Sequence, residues 1–166
     1  MSAPALWPRE ELAAELERRR AARPGLRVVL ANGCFDLLHP GHVSYLADAR
    51  SRGDLLVVAL NSDASVRELK GSERPLLPLA ERAVLVGALR AVDLVTSFPE
   101  RDLEATLRLL RPQVHAKGSD YTPEGVPEAA VDRELGIEIA ICGGAKTRSS
   151  TELAARLRAA PGGAGA

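Results

Sequence analysis

The chain has 166 residues, 46% of them hydrophobic, which suits one domain of the usual ~100–200 residues with a proper core. Its 22 basic and 22 acidic residues cancel, so no net field draws it to nucleic acid or an anionic membrane, and 3% aromatic content argues against a base-stacking platform. Cys34 and Cys142 fit no metal spacing or disulfide framework, and no apolar run nears the roughly 20 residues of a membrane span, so a cytoplasmic protein with reduced thiols is expected.

In chain order, residues 8–22 read as a helix with Leu12 and Leu16 on one face. The apolar run 26–33 lacks alternation, as a strand buried on both faces does. Helical spacing of Val43, Leu46, Ala47 and Arg50 marks a helix over 40–53, with Gly53 as its C-terminal cap. Then come a strand over 54–60, a short helix over 64–71, a helix over 79–92 and a strand over 93–98. Helices over 101–112, 126–136 and 149–160 alternate with strands over 113–116 and 137–142. Residues 1–25 are expected to be an N-terminal helix and lead-in, 26–160 the main domain, and 161–166 a frayed tail.

This alternation predicts an α/β fold: a Rossmann-like doubly wound sheet of about five parallel strands with helices on both faces. Ligands of such sheets bind beyond the carboxyl ends of the strands, here 32–42, 61–71, 97–101, 117–123 and 143–151. Those segments hold Asn32, Gly33, His39, His42, Asn61, Asp63, Lys70, Lys117, Gly118, Asp120, Lys146, Arg148 and the run Ser149, Ser150, Thr151. Glycines that admit a close backbone, helix N-termini and lysines together describe a phosphate site.

Two of the three histidines lie in "NGCFDLLHPGHVSYL". Proline is favoured in the first turn of a helix, so Pro40 opens the helix, with His39 at its N-cap and His42 in its first turn. Gly41 removes a side chain that would shield both rings from a ligand. Donors so placed suit an anion whose charge grows during reaction. Metal ligation is the competing use of two histidines, but no third ligand stands at familiar spacing.

The stretch "NGCFDLLHPGH" resembles the signature of the nucleotidyltransferases with an H-x-G-H motif, the cytidylyltransferase-like superfamily. Together with "RPLLPLAERAVLVGALRAVDLV" and "KGSDYTPEGV", it is similar to one branch, the D-glycero-β-D-manno-heptose 1-phosphate adenylyltransferases, from about Arg9 to Arg158. In many relatives this domain follows a ribokinase-like kinase domain. The resemblance implies transfer of AMP from ATP to the sugar phosphate, with pyrophosphate leaving and no covalent enzyme intermediate. It implies ADP-heptose for cell-envelope polysaccharide, Mg²⁺ with ATP, a homodimer, and a separate sugar kinase and phosphatase. Glycerol-phosphate cytidylyltransferases, using CTP, are the alternative branch. A nucleotide sensor without turnover is a further one, disfavoured by the intact His39 and His42.

Carried over by position, the resemblance implies that His39, His42 and Lys70 stabilise the reacting phosphates. Asn32, Gly33, Cys34, Phe35, Gly41, Lys117, Gly118, Asp120, Ser149, Ser150 and Thr151 would bind the nucleotide, with Cys34 contributing backbone and not its thiol. Asp36, Asp63, Arg82 and Tyr121 would serve the substrate. Asp36 reads first as a loop organiser. Arg82 reads equally as a helix-surface ion pair with Glu81 or a neighbour. The loop "KGSDY" has Ser119 where the family has glycine, and a positive φ there would strain a serine.

Overall fold

The computed structural model describes residues 6–144 and Ala155. Along them run β1 (Leu6–Trp7), α1 (Arg9–Ala22), β2 (Val28–Gly33), α2 (Pro40–Ser51), β3 (Leu55–Asn61), α3 (Asp63–Lys70) and α4 (Leu79–Gly87). Then follow β4 (Leu94–Phe98), α5 (Glu104–Leu110), β5 (Val114–Gly118), α6 (Ala129–Leu135) and β6 (Glu138–Cys142). The predicted helix over 149–160 and the tail fall outside the described residues.

The strands form one parallel sheet of six, in the order β1-β4-β3-β2-β5-β6. The strand beyond the expected five is β1, where Leu6 pairs with Val95 and Trp7 with Thr96. Two residues beside a proline carry no periodicity, so only pairing along the β4 edge makes them a strand. Thr96 Oγ1 fixes it by donating to the Trp7 carbonyl at 2.8 Å. Helix α1 packs against the same sheet: Leu12 and Leu16 are fully buried among Leu103, Leu107 and Phe98.

Alternate residues of each strand feed two cores. Val29, Ala31, Leu56, Val58 and Leu60 pack with Leu46, Ala49, Ala83 and Val86 of α2 and α4. Val28, Leu30, Leu55, Val57 and Ala59 face the opposite way, toward α1, α5 and α6. Helices on both faces explain why β2 and β3 are apolar without alternation. Among the described residues no helix is long and apolar enough to cross a membrane.

Two local expectations change. Gly53 is not a left-handed cap; α2 ends on Arg52 in a right-handed conformation. The glycine is there because a Cβ would lie 2.6 Å from the Arg27 carbonyl, where the chain passes under β2. Helix α4 stops at Gly87, short of 92, and the chain turns so that Asp93 Oδ2 accepts from the Leu56 N–H at 2.7 Å at the start of β3.

Candidate active site

From β2 at the centre of the sheet, β3 and β4 lie to one side and β5 and β6 to the other, so β2 and β5 flank the point where the winding reverses. That is where such sheets bind ligands. After β2 the chain turns tightly: Phe35 has φ 46°, and a Cβ on Gly33 would meet the Phe35 ring at 2.9 Å. Helix α2 then begins with His39 as N-cap and Pro40 in its first turn, as the sequence predicts. The His39 and His42 rings stack with centroids 3.8 Å apart, and Phe35 tilts against His42 at 5.0 Å. Tyr45, one turn on, donates from its hydroxyl to the Ala116 carbonyl at 2.7 Å and ties α2 to β5. Burial pushes the Tyr45 hydroxyl far above its ordinary range, so it stays protonated and keeps donating.

Three residues that the resemblance assigns to the substrate lie outside the cleft lining, and Asp36 is the loop organiser that its position predicts. Asp36 is fully buried and accepts from Arg74 at 2.5 Å and from the N–H groups of Leu76 and Leu77 at 2.7 and 3.1 Å. It organises the loop between α3 and α4, and the cleft lining does not include it. Arg82 is also fully buried, donating to the carbonyls of Leu77, Cys34 and Asn61 and to Asp63 Oδ1. Asp63 thus serves Arg82, and neither residue lines the cleft. By holding the Cys34 carbonyl, Arg82 also fixes the N–H of Phe35, which points the opposite way across the same trans peptide.

The cleft above the strand ends has a volume of about 720 Å³, ample for a nucleotide-sized ligand. Asn32, Gly33, Cys34, Phe35, His39, Gly41 and His42 line it together with Lys70, Lys117, Gly118, Asp120 and Tyr121. Ser119 also lines it without a positive φ, so serine fits that loop unstrained. Ser149, Ser150 and Thr151 lie outside the described residues. Tyr45, Arg101 and Glu128 are among the further lining residues that the sequence does not single out. Arg101 lies in the flagged segment 97–101 after β4, so position alone could have found it. Tyr45 and Glu128 sit on helical segments that look like ordinary surface or core.

A family model for cytidylyltransferase-like proteins matches residues 30–152. The chain belongs to the cytidylyltransferase-like family. Curated relatives of this nucleotidyltransferase domain include the bifunctional protein HldE of Gluconacetobacter diazotrophicus, 46% identical over 95% of this chain and 32% of the relative. The bifunctional protein HldE of Pelobacter propionicus is 53% identical over 76% of this chain and 25% of its own. The chain thus spans about a third or less of the curated relatives it matches. A lipopolysaccharide core biosynthesis protein from Thermoplasma volcanium is similar in structure, with TM-score 0.60 and 30% identity over 70% of this chain and 94% of that one. A pantoate-beta-alanine ligase from Francisella tularensis shares the fold, with TM-score 0.64 and 14% identity over 94% of this chain and 77% of that one.

In this cytidylyltransferase-like site the surroundings of Cys34 disfavour the thiolate that a nucleophile needs. Burial pushes its thiol up, outweighing the pull of Lys70 and Arg82, and Sγ donates to Asn61 Oδ1 at 3.7 Å. The cleft cations are Lys70, Arg101 and Lys117, and among the described residues only Lys117 is ion-paired, with Glu128 at 3.0 Å. Lys70 and Arg101 come after β3 and β4, whereas the histidines come after β2 and Lys117 lies near the carboxyl end of β5. The geometry therefore offers imidazoles and a helix N-terminus on one side and two unpaired cations on the other. Among the described residues no group of three His, Cys, Asp or Glu could hold a metal ion. Glu128 is committed to Lys117, and Asp102 accepts from the Glu104 N–H at 3.1 Å.

Proposed function

We propose that this chain transfers AMP from ATP to D-glycero-β-D-manno-heptose 1-phosphate. The carrying observation is the stacked His39–His42 pair at the opening of α2, facing the same cleft as Lys117, Gly118 and Tyr121 across the β2–β5 switch point. Relatives named bifunctional protein HldE and a solved structure named for lipopolysaccharide core biosynthesis support the sugar-phosphate reading over other phosphates. In the reaction an acceptor phosphate oxygen bonds to the α-phosphorus while the bond to the β-phosphate oxygen breaks, so ADP-heptose and pyrophosphate are the products.

His39 and His42 stabilise charge growing on the phosphates, because ring N–H donors fixed before the reaction need no reorganisation during it. Lys70 and Arg101 neutralise the acceptor phosphate and bring it in line, a gain of orientation more than of covalent chemistry. Mg²⁺ would be brought by the nucleotide, since no described residues form a site for it, and would supply charge neutralisation there.

The test is a matrix of ATP and CTP against heptose 1-phosphate and glycerol 3-phosphate, read as pyrophosphate release. Release from ATP that requires the heptose phosphate is expected. Equal or better turnover with CTP and glycerol 3-phosphate overturns the assignment.

A further inference from the structure

From the cleft wall inward runs a ladder of four buried ionisable groups that the reaction above does not use directly. His115 and Lys117, two apart on β5, project to the same face. Their partners, Asp132 and Glu128, are one helical turn apart at the start of α6. His115 Nδ1 meets Asp132 Oδ2 at 2.9 Å with both side chains fully buried. Lys117 Nζ meets Glu128 Oε2 at 3.0 Å with side-chain exposures of 7% and 5%. Glu128 Oε1 also accepts from the Leu103 N–H at 3.2 Å, which fastens the start of α5. Burial pushes the Glu128 carboxyl up, but the charge and hydrogen bond of Lys117, with help from His115 and Leu103, hold it below its ordinary value.

An ammonium has three donors and no acceptor. Lys117 points one at Glu128, one at Asn32 Oδ1 at 3.2 Å, and lies 5.3 Å from the centroid of the Tyr121 ring. Two of its polar directions are taken by groups of this chain, and the Tyr121 ring stands over the ammonium. A phosphate that bound Lys117 would compete with the Tyr121 ring or with one of these two contacts, at an ammonium whose side chain is 7% exposed. With Oδ1 committed to Lys117, Asn32 meets a ligand as a donor, through Nδ2.

We propose that Glu128 is a positioning residue of the nucleotide site: it holds Lys117 as a charge-neutral strut that orients Asn32 and Tyr121, and Lys117 serves the nucleotide through them and not as a phosphate ligand. The proposal rests on the reading of this cleft as an ATP site, but not on the identity of the acceptor. Without Glu128 the buried ammonium loses its counter-charge and moves toward water, releasing Asn32.

The experiment measures the dissociation constant of a non-hydrolysable ATP analogue with Mg²⁺ by calorimetry, without acceptor, for wild type, Glu128→Gln, Lys117→Met and the double variant. Glu128→Gln is expected to weaken binding about tenfold or more, and the double variant to stay within about threefold of Lys117→Met. In turnover, Glu128→Gln raises the KM for ATP and leaves that for the acceptor within about threefold, a split that general loosening of the fold does not produce. Should Glu128→Gln fail to fold, Lys117→Met with Glu128→Leu replaces the ion pair by apolar groups of similar size and is expected to keep the fold. Its ATP affinity must then be reduced as in Lys117→Met. Tighter binding by Glu128→Gln overturns the strut, since Glu128 would then be restraining a phosphate-binding lysine. Wild-type affinity in any of these variants, or effects that multiply in the double variant, overturns it as well. Absence of binding by the wild type removes both this inference and the nucleotide reading, whereas failure with the heptose phosphate alone touches only the acceptor.

Discussion

Arg82→Met removes a fully buried guanidinium and keeps an unbranched apolar stem in its place. The arginine donates to the carbonyls of Leu77, Cys34 and Asn61 at 3.0, 2.7 and 2.9 Å, and to Asp63 Oδ1 at 2.7 Å. A buried carbonyl left without a donor costs about 1–3 kcal/mol. Three carbonyls at the low end give about 3 kcal/mol by that rate. The Asp63 pair adds little, because that side chain is 32% exposed and is rehydrated when the arginine leaves. A loss of about 3–5 kcal/mol results, in the range for breaking a buried charged network. At a slope of about 2 kcal/mol per M, the urea midpoint drops by about 1.5–2.5 M. Far-UV circular dichroism in a urea series measures it, with Arg82→Lys as the control that keeps the charge and loses the fork; it is expected to fall between. A loss under about 1 kcal/mol refutes the anchoring role. If the KM for acceptor rises instead, Arg82 touches substrate as the family resemblance implies.

Other residues give separate readouts. His42→Ala leaves the urea midpoint near wild type and lowers kcat by two orders of magnitude or more, on the order of the loss of a preorganised donor; unchanged kinetics refute its place at the phosphates. Arg101→Gln raises the KM for the sugar phosphate about tenfold or more and leaves ATP affinity unchanged; a selective rise in the KM for ATP instead would assign Arg101 to the nucleotide. For Asp36, burial pushes the carboxyl up, but Arg74 and the N–H groups of Leu77 and Leu76 outweigh it and hold the folded-state value below 3.8. Asp36 therefore stabilises the fold fully above that pH and progressively less below it. Asp36→Asn lacks this contribution, so the gap in urea midpoint between it and wild type narrows from about pH 6 to about pH 3. A gap independent of pH refutes the coupling to Arg74.

The alternation of apolar runs with amphipathic stretches was enough to predict a doubly wound sheet, because burial on both faces removes the period of two from strands such as 55–61. Local rules likewise placed His39 at an N-cap and Pro40 in the first turn, since capping depends on a few adjacent residues. The rule about strand ends then gathered Asn32, His39, His42, Lys70, Lys117 and Tyr121 into one neighbourhood, where the cleft lies. That much belongs to the sequence by itself.

Tertiary structure decided what each polar side chain faces. Asp36 reads as a loop organiser from its position, but its partner Arg74 lies 38 positions on; Arg82 and Asp63 read as site residues through the resemblance, and their pairing in the fold makes Arg82 an anchor for the Cys34 carbonyl. Glu128 looks like a solvated charge at a helix start, and only the packing of α6 on β5 buries it against Lys117. Strand β1 exists only because β4 has an edge to offer. The reason is common to all of these. Helix capping and apolar periodicity are settled within a few residues, whereas a buried charge takes its meaning from a partner that distant chain segments bring to it.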